Sequence, residues 1–263
     1  MPSIRDFAAA KANHRKLVVV TAYDAWSARL LADTPVDSLL VGDSAMMVMH
    51  GERDTLRATT ELMAVHTAAV SRGAPGKLLI ADFPFLAARK GASHAFDCAA
   101  QLLRAGAHAV KVEGIRGHAD VIFRLVESGI PVMGHLGLQP QSVNALGGYA
   151  VQGREKIDAA RVREDAAALE AAGAFAIVLE CIPQKLAREI TAALRIPTIG
   201  IGAGAGCDGQ VLVLQDLLGL NPDFKPRFVR RFADGAALVR TGVTRYAEAV
   251  RAGKFPATKE SFS

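Results

Sequence analysis

Short runs of branched apolar residues recur along nearly the whole chain, separated by stretches with apolar residues at helical spacing. Few of these runs alternate polar with apolar residues, which is typical of parallel strands buried on both faces. The pattern predicts strands at residues 16–22, 38–42, 77–82, 109–113, 131–135, 175–180, 197–201 and 210–214.

Amphipathic helices are predicted between most of these strands. Ser93 is a candidate N-cap, and Gly106 and Gly173 stand where a helix end favours a residue that tolerates positive φ. Eight strand–helix units favour an α/β fold, a (β/α)8 barrel in a single domain, over an open doubly wound sheet. The clearest helices are 59–72, 93–105, 161–172 and 184–194.

The composition is that of an ordinary globular protein: 263 residues, 51% of them hydrophobic and 22% charged. The three cysteines, Cys98, Cys181 and Cys207, lie far apart with no CxxC pair, which argues against a disulfide framework and against a thiolate zinc site. No apolar run reaches the roughly 18 residues of a membrane-spanning helix, and the first 16 residues lack a secretory signature. We therefore expect a cytoplasmic protein.

The net charge of +5 falls within residues 221–263, which hold nine basic and four acidic residues. A nucleic-acid-binding surface needs aromatic side chains that are free to stack beside its basic residues. Here the apolar residues recur at helical spacing and are expected to form the buried stripe of C-terminal helices, with the arginines solvated. The stripe comprises Phe228, Phe232, Val239, Val243, Tyr246 and Val250.

Acidic residues end or directly follow four of the predicted strands: Asp43, Asp82, Glu113 and Glu180. The carboxyl ends of parallel barrel strands open onto one face, where active sites are built. A buried carboxylate needs a partner or a metal, so four in one topological position indicate a shared functional site. Asp24 follows the first strand in the same way, but an N-cap for the next helix is the favoured interpretation there.

Carboxylates without cysteine ligands favour a hard cation, Mg²⁺ or Mn²⁺, over zinc. Lys111 and Glu113 point to the same side of their strand because side chains alternate with a period of two. At a strand end, Lys111 is more readily a ligand for a substrate anion than a structural counter-charge. His135 ends the fifth strand and is either part of the site or a core histidine bonded to the backbone.

Two further motifs carry weaker signals. Residues 204–209 match GxGxxG, but too little chain follows for a dinucleotide-binding domain, so the run GIGAG more readily marks close backbone approach to a ligand or an anion-binding nest. Ser44 lacks the GxSxG elbow of a nucleophilic serine, and a hydroxyl that donates to substrate is the simpler role.

Several long runs of this sequence resemble the ketopantoate hydroxymethyltransferase family, a member of the phosphoenolpyruvate mutase/isocitrate lyase-like group of (β/α)8 barrels. The likeness extends in order from about residue 16 to residue 256. The runs are TAYDA (21–25), VGDS (41–44), ADFPF (81–85), VKVEG (110–114), GHLGLQPQSV (134–143), GGYAVQGR (147–154), ALEAAGA (168–174), VLECIP (178–183) and IGIGAGAGCDGQ (199–210).

The resemblance implies transfer of a hydroxymethyl group from 5,10-methylenetetrahydrofolate to 3-methyl-2-oxobutanoate, forming 2-dehydropantoate in pantothenate biosynthesis. It also implies a homodecamer of two pentameric rings. The roles it implies are Mg²⁺ ligation by Asp43, Asp82 and Glu113, substrate binding by Asp43, Asp82, Ser44, Lys111 and His135, and proton abstraction by Glu180.

One segment departs from the family pattern. After VGDS the family continues with a small, glycine-containing turn, whereas this chain has Met46 there and Arg57 where proline is usual. We expect that loop to overhang the site.

Two alternatives to this function stay open. One is a metal-dependent lyase or mutase acting on another small 2-oxo acid, although the KKCGH-type cysteine loop is absent, and the other is a nucleic-acid-binding protein.

Overall fold

The computed structural model describes residues 3–262. Eight parallel strands close into a barrel in sequence order, with the eighth hydrogen-bonded to the first. This confirms the (β/α)8 barrel and rules out the open sheet. The strands are β1 Leu17–Thr21, β2 Ser38–Val41, β3 Leu78–Asp82, β4 Ala109–Glu113, β5 Val132–Gly137, β6 Ala176–Glu180, β7 Thr198–Ile201 and β8 Gly209–Leu212.

The register of the strands decides which side chains face the inside of the barrel. The interior is an apolar cluster to which every strand contributes, and β1, β3 and β6 each contribute two residues that are two positions apart. The same alternation places the polar residue at a strand's carboxyl end directly above that cluster. The pairs, apolar below and polar above, are Ile80 and Asp82, Ala109 and Lys111, Met133 and His135, and Val178 and Glu180.

Helices follow most strands and cover the outside of the barrel. The four helices predicted with bounds lie within one residue of their predicted ends, except that the helix predicted from 161 begins five residues earlier. The helices are α1 Ile4–Ala12, α2 Ala25–Ala32, α3 Ala45–Val48, α4 Thr60–Gly73, α5 Ala92–Arg104, α6 Ala119–Glu127, α7 Val143–Leu146, α8 Lys156–Ala171, α9 Gln184–Ala193, α10 Leu214–Leu217 and α11 Gly235–Arg251, with 3-10 turns at Pro140–Ser142 and Thr258–Glu260.

The helix-end predictions had mixed outcomes. Gly106 and Gly173 have φ of 109° and 87°, as expected of residues that end a helix in a left-handed conformation. The prediction of Ser93 as an N-cap is wrong, because α5 begins at Ala92 and its N-cap is Gly91, with φ of 94°. A glycine without a capping side chain leaves no sequence signal except its tolerance of this φ.

The chain divides into two compact units, residues up to Val213 and residues from Leu214 onward, and the barrel strands all belong to the first. In the second unit, the prediction of a buried apolar stripe is wrong for the residues of α11. Val239, Val243, Tyr246 and Val250 are all exposed, as is Phe232 before the helix. Helical spacing shows that side chains share a face, but it does not provide an element to cover that face.

No helix within residues 3–262 is long and apolar enough to cross a membrane. Cys98, Cys181 and Cys207 are free thiols, and all three are buried.

Candidate active site

The predicted site residues converge at the carboxyl end of the barrel. Asp82 and Lys111, on neighbouring strands, form a buried ion pair with Nζ of Lys111 3.1 Å from Oδ2 of Asp82. The same Oδ2 accepts a 3.0 Å hydrogen bond from the backbone N–H of Asp43. Nζ of Lys111 also lies 3.2 Å from Nδ1 of His135, on β5.

His135 lies between two carboxylates. Its Nδ1 is 3.4 Å from Oε1 of Glu113, and its Nε2 is 3.2 Å from Oε2 of Glu180. The histidine is therefore a member of the cluster rather than a core residue bonded only to the backbone. Glu180 is the more exposed of the two carboxylates, with a side-chain exposure of 16% against 5% for Glu113.

Ser44 begins the loop after β2, where its hydroxyl lies 2.8 Å from that of Tyr23, at the end of β1. The glycine before Asp43 is needed for close approach, because a Cβ at Gly42 would come within 2.7 Å of Oγ of Ser44. Asp24 lies outside the cluster. Its side chain accepts from the N–H of Ser27, which confirms the helix N-cap interpretation.

Two residues that sequence reasoning did not select also contribute. Gln141, in the 3-10 turn after β5, donates from Nε2 to Oδ2 of Asp43 at 2.8 Å and from its backbone N–H to Oε2 of Glu113 at 3.1 Å. Tyr23 is buried against Ser44. Both lie in runs that match the family motifs. Tyr23 also directly follows the first predicted strand, whereas Gln141 lies in a loop and has no strand-end signal.

The cluster has more negative than positive charge, and this shifts its proton equilibria. Burial and the neighbouring Asp82 raise the pKa of Asp43 to about 8. Burial likewise raises the pKa of Asp82, against the opposing charge of Lys111. Burial alone would lower the pKa of Lys111, but the charges of Asp82, Glu113 and Asp43 raise it, so this ammonium stays protonated.

The pKa values of His135 and Glu113, which contact each other, shift in opposite directions. Burial and the charge of Lys111 oppose protonation of His135, yet its contacts with Glu113 and Glu180 raise its pKa to about 9. Burial would raise the pKa of Glu113, but the contact with His135 and the charge of Lys111 lower it. These two positively charged neighbours therefore keep Glu113 ionised at neutral pH.

The donor set fits a hard divalent cation. Oδ1 of Asp82 and Oε1 of Glu113 are buried and accept no hydrogen bond from the described residues. Within residues 3–262 no three His, Cys, Asp or Glu side chains converge as a ready-made cage. A closed cage is not what Mg²⁺ needs, because it is usually held by one or two carboxylates with waters and substrate oxygens.

The remaining sequence features have structural roles around the site. Burial raises the pKa of the Cys181 thiol to about 12, which makes this cysteine a poor nucleophile. Met46 is buried in α3 and Arg57 forms an exposed 3.4 Å ion pair with Glu52.

In the glycine-rich run, a Cβ on Gly204 would lie 2.5 Å from Cβ of Gln184, so close packing requires glycine there. An anion nest in this run stays a prediction.

Comparison with known proteins places the chain beside a single group of enzymes. Residues 2–258 match the model of a family described as ketopantoate hydroxymethyltransferase. A relative from Bdellovibrio bacteriovorus, named 3-methyl-2-oxobutanoate hydroxymethyltransferase, is 52% identical over 263 residues, 100% of each chain. Relatives of the same name are 46% identical in Francisella tularensis subsp. novicida, over 99% of this chain and 98% of theirs, and 48% identical in Coxiella burnetii, over 95% of each.

Solved structures with a similar fold are more distant in sequence. Phosphonopyruvate hydrolase in complex with oxalate and Mg²⁺ superposes with a TM-score of 0.63 at 14% identity, covering 99% of this chain and 93% of that one. The structure of 2,3-dimethylmalate lyase, described as a member of the PEP mutase/isocitrate lyase superfamily, has a TM-score of 0.60 at 18% identity, covering 100% and 92%. At this identity the likeness concerns the fold.

Proposed function

Because the chain belongs to the ketopantoate hydroxymethyltransferase family, we propose that it transfers a hydroxymethyl group from 5,10-methylenetetrahydrofolate to 3-methyl-2-oxobutanoate. The donor supplies the methylene carbon and one water molecule supplies the hydroxyl group, so the products are 2-dehydropantoate and tetrahydrofolate, in pantothenate biosynthesis. The observation that carries the proposal is the buried acidic cluster, with Lys111 at its centre and the more exposed Glu180 at its edge.

The reaction requires loss of the C3 proton of the keto acid, which water at neutral pH does not remove efficiently. Glu180 is the proposed base, since its carboxylate is the most accessible of the cluster and lies 3.2 Å from Nε2 of His135. Lys111 and Ser44 supply a positive charge and a hydroxyl donor where negative charge develops on the keto acid oxygens. His135 orients Glu180 and binds substrate beside Lys111.

Asp43, Asp82 and Glu113 are the proposed ligands of a divalent cation, Mg²⁺ or Mn²⁺, directly or through water. The buried oxygens of Asp82 and Glu113 that accept no hydrogen bond from the described residues support this assignment, as do the carboxylates that raise the pKa of Asp43. The complex of phosphonopyruvate hydrolase with oxalate and Mg²⁺, which shares the fold, is consistent with it. When bound, such an ion polarises the keto acid as a Lewis acid.

Proton NMR of 3-methyl-2-oxobutanoate in D2O tests the enolisation half-reaction without folate. We expect the purified protein with Mg²⁺ to remove the C3 proton signal, and EDTA to stop the loss. Addition of 5,10-methylenetetrahydrofolate is then expected to yield 2-dehydropantoate. If the folded, metal-loaded protein produced neither exchange nor product, the proposed substrate would be wrong.

A lyase or mutase acting on another small oxo acid is the rival within this fold. The high pKa of Cys181 argues against a cysteine nucleophile at the end of β6. The folate-dependent step separates the two activities, because a lyase would turn over its own substrate without a one-carbon donor.

We also propose the homodecamer, on the family resemblance, and a cytoplasmic location. Multi-angle light scattering of the purified protein tests the assembly, and a mass of ten chains is the expected result. Fractionation of cells that express the full chain tests the location.

A further inference from the structure

Gln141, in the loop after β5, touches two of the proposed metal ligands. Its side-chain Nε2 donates to Oδ2 of Asp43 at 2.8 Å and to the carbonyl oxygen of Phe83 at 2.7 Å. Its backbone N–H donates to Oε2 of Glu113 at 3.1 Å. A single loop residue thus joins the ends of β2, β3 and β4.

The chemistry of these acceptors fixes the orientation of the amide. The carbonyl oxygen of Phe83 accepts and cannot donate, so the nitrogen of Gln141 must face it, and the same nitrogen lies 2.8 Å from Oδ2 of Asp43. The side chain is therefore held at two points, and its contact restrains the carboxyl group of Asp43.

The contact restrains Asp43 without neutralising it. Lys111 already supplies a positive charge to Asp82. A second cation at the position of Gln141 would weaken the attraction of the cluster for a metal ion, whereas a neutral amide leaves the charge of Asp43 available. Ligating carboxylates are commonly held by such outer hydrogen bonds, and losing one typically weakens metal affinity about 10–100-fold.

We propose that Gln141 is a positioning residue of the metal site, holding the Asp43 and Glu113 carboxylates in the arrangement that a divalent cation takes up. This inference rests on the proposed metal function of those carboxylates. It concerns ion affinity and not the proton transfer itself, so it can be tested apart from turnover.

Mn²⁺ binding followed by electron paramagnetic resonance gives the readout. Gln141→Ala and Gln141→Met are expected to weaken Mn²⁺ affinity about 10–100-fold, the methionine variant while filling a similar volume. Gln152→Ala is the matched control: it lies in the same stretch of sequence between β5 and β6, but its side chain donates to the carbonyl of Ala150 rather than to a carboxylate. Its affinity is expected to equal that of the wild type.

Rescue by excess metal separates positioning from general damage. At subsaturating Mn²⁺ the Gln141 variants should exchange the C3 proton of the keto acid slowly, and at saturating Mn²⁺ they should approach the wild-type rate. A merely structural defect would not be reversed by metal. If Gln141→Ala fails to fold, Gln141→Met decides the outcome.

Unchanged Mn²⁺ affinity in both variants would overturn the inference, and so would the absence of Mn²⁺ binding by the wild type. Tighter Mn²⁺ binding by the variants would also overturn it, because the amide would then occupy the place of the ion. Failure of the proposed function looks different. The wild type would then bind Mn²⁺ and the variants would bind it less well, but no keto acid exchange would occur in any of them.

Discussion

The two ends of the barrel differ in how completely their charged side chains are paired. At the amino end, Nζ of Lys11 in α1 donates to Oδ2 of Asp208 and to the carbonyl of Thr191, both at 2.8 Å. That Oδ2 also accepts the backbone N–H of Thr198, at the start of β7. At the carboxyl end, Asp82 and Glu113 each keep one buried oxygen without a hydrogen bond from any described residue.

The amino end of the barrel therefore contributes to stability, and the carboxyl end to binding. An ion pair whose charged groups bond to each other and to the backbone stabilises the fold. It leaves few polar atoms free to bind a ligand. A buried cluster with unmatched acceptors and excess negative charge costs stability, which is tolerated where binding of a substrate or ion can recover it. Substitutions at the two ends, and a change of pH, should therefore have effects of different size and different dependence on metal.

Glu180→Gln is expected to have the largest effect. It removes the proposed base while keeping the size of the side chain, so exchange of the C3 proton should fall about 10²–10⁴-fold. Binding of the keto acid should change little, because Lys111 and Ser44 remain. NMR exchange and a binding titration on the same sample measure both. Glu189→Gln, on α9 and paired with Arg163, is the control; equal rates for the two variants would contradict the role of Glu180.

Lys111→Met leaves Asp82, Asp43 and Glu113 without their central cation. Breaking a buried pair typically costs about 3–5 kcal/mol, and we expect that loss of unfolding free energy in EDTA at pH 8. Mg²⁺ should recover part of it, because the ion replaces the missing positive charge. Urea unfolding with and without Mg²⁺ measures both effects. A variant as stable as the wild type in EDTA would show that Lys111 does not balance the carboxylates.

The same cluster predicts a pH dependence of the metal-free protein. Asp43, with a folded pKa of about 8 against an ordinary 3.8, and His135, with about 9 against 6.5, both bind protons more tightly when folded. Between pH 6.5 and 8 the folded state therefore holds more protons than the unfolded state, and stability falls as pH rises.

We expect this loss to be on the order of 3 kcal/mol between pH 6.5 and 8, since one pKa unit corresponds to about 1.4 kcal/mol. Mg²⁺ should stabilise the protein more at pH 8 than at pH 6.5, because bound protons compete with the ion. Denaturant unfolding across this range in EDTA, and again in Mg²⁺, provides the measurement. Stability that rises with pH in EDTA would reverse the sign and refute the assignment.

How far the sequence predicts this site follows from the geometry of strands. Side chains alternate along a strand, and parallel strands end at one face, so Asp82, Lys111, Glu113 and Glu180 could be placed together from their positions alone. His135 followed from the same rule, although its contacts with Glu113 and Glu180 depend on the register of β5 between its neighbours.

The features that strand geometry does not predict lie in a loop and on the surface of a helix. Gln141 lies six residues beyond His135, and only the 3-10 turn brings its amide back to Asp43. No periodicity encodes such a turn. The exposed apolar face of α11 shows the opposite limit: its spacing was correct, but burial depends on a neighbouring element that a helical pattern does not specify.

Lys11→Met is expected to have the smallest effect, and it completes the contrast. The pair with Asp208 is partly exposed, at 17% and 18%, and a hydrogen-bonded charge of this kind contributes about 1–2 kcal/mol. Its removal should lower the unfolding free energy by that amount at every Mg²⁺ concentration, with Mn²⁺ affinity and keto acid exchange unchanged. If the loss of unfolding free energy depended on Mg²⁺, the two ends of the barrel would be coupled. Binding of the ion at the carboxyl end would then affect the Lys11–Asp208 pair across the apolar interior.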